Sequence, residues 1–215
     1  GRGVKTLSAP ERATIANMGA ELGVTSSVFP SDKNTLNFLK TQGREKDWIE
    51  LSADKNAEYD GVIKINLSEL EPLASCPSSP DNIKTIAELE GMEVGQVIVG
   101  SCTNSSYQDL MLVASVLKGR QIAENVSFAV APGSRQLIKM LAENGALSEI
   151  ISAGARILES GCGPCIGQGF SPADDTVTLR TFNRNFAGRT GTKNDKAYLV
   201  SPDSAVAAAL TGKIT

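Results

Sequence analysis

From residue 96 onward the chain alternates short apolar runs with longer helical patterns, and few folds accommodate that order. Residues 96–100 (QVIVG) are an apolar run, followed by a polar loop and a helical pattern over about 106–118. A second run at 126–131 leads through Pro132-Gly133-Ser134 to a helix ending near Glu143. A shorter helix near 147–152 precedes an apolar run at 155–158. Further strand candidates lie at 176–179 and 198–201, with a last helix over about 203–210. Strands separated by helices of this length cannot be hairpin neighbours, so the pattern predicts an α/β fold. Its parallel sheet would carry flanking helices on both faces, giving three α/β/α layers. In such sheets the carboxyl ends of the strands form the ligand crevice.

The first third reads differently. A helix is predicted over about 10–22, with Pro10 and Glu11 in its first turn, Gly23 at its stop, and Ile15, Met18 and Leu22 on one face. A second helix is predicted over 33–42. Residues 62–67 alternate as Val-Ile-Lys-Ile-Asn-Leu and predict a half-buried strand. Residues 72–81 carry three prolines and three serines and read as a boundary. The expectation is therefore a smaller α/β subdomain over 1–80 and the main α/β domain over 81–215.

A net charge of −3, with Lys and Arg spread along the chain, gives no basic footprint for nucleic acid. No apolar stretch approaches the roughly 20 residues of a membrane span, and no signal peptide opens the sequence. Four cysteines in such a chain point to a reducing compartment, the cytoplasm or a mitochondrial matrix. The complete lack of histidine removes every His-based triad, base or zinc site from the chain as given.

Three of the cysteines lie where the predicted crevice would be. Cys102 sits in Gly100-Ser101-Cys102-Thr103-Asn104-Ser105-Ser106, and Cys162 and Cys165 in Gly161-Cys162-Gly163-Pro164-Cys165. Cys-Gly-Pro-Cys is also the redox tetrapeptide of thioredoxins. Here Gly161 stands where those proteins have Trp, and Gly167 and Gly169 oppose the helix that would have to follow. A structural zinc site wants two close ligand pairs, and neither Cys76 nor Cys102 has a paired cysteine. Inert buried cysteines are the plain alternative. An iron–sulfur cube fits better, because three thiolates leave one iron open as a Lewis acid for a hydroxyl or carboxylate. An anionic substrate calls for arginines, and Asn183-Arg184-Asn185-Phe186-Ala187-Gly188-Arg189 supplies two on a loop predicted to reach the same crevice.

Taken together, these segments resemble the aconitase family. The Cys102 loop extended to Tyr107, Cys162-Gly163-Pro164-Cys165-Ile166-Gly167 and the Asn183–Arg189 run match its signatures in their usual order. A fourth match lies at 13–23 (ATIANMGAELG), followed by Ser27-Val28-Phe29-Pro30. The resemblance implies that Cys102, Cys162 and Cys165 hold a 4Fe–4S cluster in an aconitase-type iron–sulfur domain. It implies further that Arg184 and Arg189 bind substrate carboxylates and that Asn183 hydrogen-bonds near the cluster. It pairs Glu21 with the open iron and its water, with Asn17 one helical turn before it. The implied activity is that of a lyase in the tricarboxylic acid cycle, converting citrate to isocitrate through cis-aconitate by dehydration and rehydration.

The family also uses an N-terminal region with Asp–His pairs and a C-terminal swivelling domain with a serine base, and neither is present in this sequence. The chain is accordingly expected to be a core fragment or one subunit of a split enzyme, with those domains as its partners. Alone it is expected to be inactive, with an oxidation-labile cluster that is easily lost. The rivals are a related hydro-lyase, namely homoaconitase, methylcitrate dehydratase or the large subunit of isopropylmalate dehydratase, and RNA binding by the cluster-free form. Gly163-Pro164 favours the aconitase side, since isopropylmalate enzymes tend to have Ser-Met there; the acidic balance argues against RNA.

Overall fold

In the computed structural model, which describes residues 1–215, the chain divides into two compact units, Gly1–Glu71 and Pro72–Thr215. No helix is long and apolar enough to cross a membrane.

The first unit is built on two short helices, α1 (Ala9–Gly19) and α2 (Lys33–Thr41). Ser8 and Glu11 close a capping box at the start of α1, with Pro10 in its first turn, and a 3-10 turn (Ala20–Leu22) carries it to the left-handed Gly23. Asp32 caps α2 by accepting from the Asn34 and Thr35 amides. The same carboxylate receives a two-pronged contact from Arg12, whose Nη1 and Nη2 donate to Oδ1 and Oδ2 at 2.9 Å each. Arg12 is 4% exposed, and it also donates to the carbonyls of Val4, Leu7 and Pro30. One guanidinium thus gathers both helices and the leading turn, as a planar fork of donors can.

The hydrogen bond from Arg12, aided by the Asn34 and Thr35 amides, holds the Asp32 carboxyl below its ordinary value of 3.8. A carboxyl whose folded pKa is depressed stabilises the fold above its unfolded pKa and loses that contribution as pH falls through the folded value. Trp48, the single tryptophan, lies in this unit and reports on it. Melting followed by its fluorescence is expected to drop below about pH 4, and Asp32→Asn is expected to flatten that acid limb.

Residues 62–67 are not a strand. Val62, Ile63 and Ile65 are exposed, Ile63 at 91%, and the only pairing in this unit is an isolated bridge between Ser31 and Leu51. The alternation supplies an apolar edge, but no neighbouring strand of the unit lies against it, and a ladder needs two sides.

The second unit carries a seven-stranded sheet in the order β2-β1-β7-β6-β3-β4-β5. Its strands are β1 (Leu73–Ser75), β2 (Ile83–Thr85), β3 (Gln96–Gly100), β4 (Ser127–Ala131), β5 (Arg156–Ile157), β6 (Val177–Arg180) and β7 (Lys196–Leu199). From β7 to β5 all neighbours are parallel, whereas β1 pairs antiparallel with both β7 and β2. The segment expected as a linker therefore contributes β1, an antiparallel strand paired on both sides, to this sheet. Its prolines flank β1 rather than interrupt it, so no proline lacking an N–H sits in the ladder.

Four helices complete the unit: α3 (Tyr107–Leu117), α4 (Arg135–Glu143), α5 (Ala146–Ser152) and α6 (Pro202–Thr211). All four contribute to one apolar core with Val97, Val99, Phe128, Val130 and Leu179. Strand period two sends the alternate residues Gln96, Ile98, Thr178 and Arg180 to the opposite face. That face was expected to carry a second helix layer. Segments from 158–176 and 181–195 cross there instead, with only a 3-10 turn (Gly163–Ile166) between them. Handedness supplies the reason. The chain steps from β3 to β4 to β5 in one direction, then reverses to β6 and β7, and right-handed crossovers in the reversed direction fall on the other face.

Candidate functional site

The reversal of strand order lies between β3 and β6, the switch point where open α/β sheets leave a crevice at the carboxyl ends. Cys102 follows β3, Asn183 to Arg189 follow β6, and Cys162 and Cys165 lie on the crossover from β5 that returns over the same face.

The turn out of β3 is set by its backbone. Gly100 has φ +136°, and a Cβ there would overlap the Ala131 carbonyl oxygen. Ser101 follows at φ +69°, an uncommon conformation for a residue other than glycine, and its amide donates to the Ala131 carbonyl at 3.1 Å. Thr181 fixes the other side: its Oγ1 accepts from the Gly100 amide at 2.9 Å, and Asn104 Nδ2 donates to its carbonyl at 2.9 Å. Ser105 Oγ closes the loop on the Ser101 carbonyl, and Ser106 starts α3 with a capping box completed by Asp109. Ser105 and Ser106 thus bond within the loop and Asn104 ties it to Thr181, with Cys102 exposed at the edge.

Ser101 also joins the two cysteine loops. Its Oγ lies 3.0 Å from Cys165 Sγ and 3.8 Å from Cys102 Sγ, so the two sulfurs are no further apart than those distances laid end to end. Burial holds the Cys165 thiol above its usual range, the Ser101 hydrogen bond acts the other way, and the neighbouring Cys162 and Cys102 raise it further. None of the three cysteines is in a disulfide; Cys102 and Cys162 are exposed and Cys165 is buried. Cys76 is not in a disulfide either but belongs to the apolar core, where burial raises its pKa.

The Cys-Gly-Pro-Cys segment forms a 3-10 turn with Cys162 at its start and Gly167, φ +81°, at its end. A Cβ on Gly167 would overlap the Thr190 carbonyl oxygen, so this loop lies directly against the one that carries Arg189. That second loop is organised by Asp195, which accepts from the Gly188 amide at 3.1 Å, the Thr190 amide at 3.1 Å and the Thr190 hydroxyl at 2.5 Å. Arg189 stacks over Phe186 at 5.5 Å, and Arg184 stands exposed nearby in sequence with Asn183 half-buried before it. Asn185, expected to be part of the same polar run, turns inward and donates to the Ser75 and Cys76 carbonyls at 3.2 and 2.8 Å. Asn17, in α1, and Glu21, in the 3-10 turn after it, belong to the first unit.

No three His, Cys, Asp or Glu side chains converge on one point as the ligands of a single ion would. A cube of separate irons makes no such demand, since each thiolate takes its own corner. Three thiols at one sheet edge, bordered by glycine backbone that admits no Cβ, suit a bulky inorganic group.

Sequence reasoning missed Ser101, Thr181, Asp195 and Arg180. The last two are buried charges, and only a charged residue closing an otherwise apolar strand, VTLR, signalled Arg180.

The sequence profile described as "Aconitase family (aconitate hydratase)" matches residues 1–92 and 82–212. Among curated relatives, 3-isopropylmalate dehydratase large subunit 2 of Archaeoglobus fulgidus is 43% identical over 100% of this chain and 52% of its own length. The corresponding large subunit of Clostridium botulinum (strain Alaska E43) is 41% identical over 100% of the chain and 51% of its own. Large subunit 1 of Thermotoga maritima is 39% identical over 99% and 51%. The chain spans about half the length of these relatives. With the crevice, its cysteine loops and a profile match over nearly every residue in agreement, the chain belongs to the aconitase family.

Proposed function

We propose that the chain is the cluster-bearing core of a hydro-lyase that dehydrates and rehydrates a small 2- or 3-hydroxy acid with several carboxylates, and that this acid is of the 3-isopropylmalate class. The observation that carries the substrate reading is the sustained identity to large subunits bearing that activity in their names, over the whole chain. It outweighs the two residues Gly163-Pro164, which favoured citrate and a place in the tricarboxylic acid cycle. The relatives' designation as large subunits also makes a smaller companion subunit the fitting partner.

Cys102, Cys162 and Cys165 would hold a 4Fe–4S cluster at the edge they share. When bound, the cluster supplies an open Lewis-acidic iron that polarises the hydroxyl to be lost. Arg184 and Arg189 fix substrate carboxylates, with the Phe186 ring and the Asp195-braced turn limiting the wander of Arg189. Asn183 donates to an oxygen in the same crevice. Asn17 and Glu21 keep the roles implied by the family, a hydrogen-bonding group and an acid–base group at the hydroxyl. No serine base is assigned within this chain.

Activity of the longer protein, assembled with its companion subunit, decides the substrate. Higher kcat/KM on 3-isopropylmalate than on citrate or homocitrate is expected; preference for citrate would overturn the substrate reading. In that protein Arg184→Lys and Arg189→Lys are each expected to raise KM about 10- to 100-fold, because lysine loses the two-pronged grip on a carboxylate. An unchanged KM in both variants would remove the arginines from the binding role.

A further inference from the structure

Arg180 has no part in the function proposed above, yet it is the largest fully buried side chain in the protein, 0% exposed. It ends β6 beside Ile98 of the neighbouring β3 and points to the face crossed by the cysteine loop. Its Nη1 donates to the Pro164 carbonyl at 3.1 Å, between the two cysteines, and its Nη2 donates to Gln96 Oε1 at 3.2 Å. Gln96 is itself held, accepting from Thr178 Oγ1 at 2.9 Å and donating from Nε2 to the Phe170 carbonyl at 3.4 Å. The network therefore joins two adjacent strands to both ends of the 164–170 segment. The guanidinium carbon lies 5.4 Å from the centre of the Phe182 ring, and Nε has no partner.

Buried charge of this kind is costly unless something opposite in sign answers it. None of its hydrogen bonds is to a carboxylate, and Asp195 acts on it only through space. Burial pushes its pKa down to about 10, with Asp195 and Cys165 pulling it back up and Arg189 pressing it down, so it remains a cation at neutral pH. A neutral side chain of similar length would fill the space without that cost; Asp195 offsets only part of it, and the charge favours a further anion close by.

We propose that Arg180 is the positioning cation of the cysteine loop: its fork fixes the Pro164 carbonyl, and thereby Cys165, over the sheet, and its charge lies beneath the anionic iron–sulfur group. The second half of this inference rests on the cluster reading; the first half does not. Groups that orient ligands from behind typically change metal affinity 10- to 100-fold when removed, and positive charge close to a cluster favours its reduced state.

The test compares this chain with Arg180→Lys, which keeps the charge and loses the fork, and Arg180→Met, which loses both. In the metal-free chain, alkylation of Cys165 by a maleimide is expected to speed up roughly tenfold or more in both variants, with Cys102 and Cys162 unchanged. After anaerobic reconstitution, iron loss to a chelator is expected to be about tenfold easier in Arg180→Met. The cluster's midpoint potential is expected to move negative in Arg180→Met and to stay near the parent value in Arg180→Lys, a pattern that loose packing alone does not produce. Parent-like alkylation in both variants overturns the positioning role, and a parent-like potential in Arg180→Met overturns the electrostatic one. If Arg180→Met does not melt cooperatively, Arg180→Lys carries the alkylation test. A parent chain that takes up no cluster refutes the cluster reading and the electrostatic half with it, while the alkylation result still decides the positioning half.

Discussion

Gly100→Ala is expected to be among the most destabilising single-methyl changes in the second unit. At φ +136° an L side chain is strained, and the added Cβ would overlap the Ala131 carbonyl oxygen, a backbone atom fixed in the adjacent strand β4. The Ala131 carbonyl also accepts the Ser101 amide, so the strand cannot move away without breaking the turn. Strain and clash together cost at least about 3 kcal/mol. For a unit of this size that corresponds to a fall of roughly 6–12 °C in melting temperature. Gly161→Ala is the control, since a Cβ there meets nothing within 4 Å, and it is expected to melt like the parent. A Gly100→Ala protein within a degree or two of the parent would show that the turn after β3 is softer than its geometry implies.

The second large effect is chemical. Cys102→Ser, Cys162→Ser and Cys165→Ser are each expected to abolish or sharply reduce cluster loading, because a serine hydroxyl is a poor substitute for a soft thiolate on iron. Cys76→Ser serves as the contrast: that thiol is buried in the apolar core, so its loss is expected to lower stability and leave loading intact. Iron and acid-labile sulfide per folded chain are the measurements. Loading that survives Cys102→Ser would detach the loop after β3 from the site.

The sequence was most legible where elements are repeated and locally determined. The strands β3, β4 and β6 stood out as apolar runs, and α3 and α6 emerged close to their observed ends, since serine caps mark both starts. Legibility failed where the outcome depends on partners. Residues 62–67 have the alternation of a strand and no strand beside them. Residues 73–75 form a strand paired on both sides within a proline- and serine-rich stretch that reads as a linker. The mostly parallel sheet with flanking helices was legible, but the reversal at β3 and β6 is invisible in periodicity, and it routes irregular crossovers over one face. Of the proposed site, the cysteines and arginines carried a chemical signal of their own, whereas Asn17 and Glu21 rest on the resemblance alone. The supports Ser101, Thr181, Arg180 and Asp195 were not legible, because a hydroxyl or a buried charge acquires its meaning only from what folds against it.

The central claim is that Cys102, Cys162 and Cys165 form one iron–sulfur site at the carboxyl edge of β3 and β6. Anaerobic reconstitution of this chain, followed by iron and sulfide analysis and by electron paramagnetic resonance of the reduced sample, tests it most directly. About four irons and four sulfides per chain, with the signal of a reduced 4Fe–4S cluster, are predicted. Iron and sulfide no higher than in the Cys162→Ser chain would contradict it.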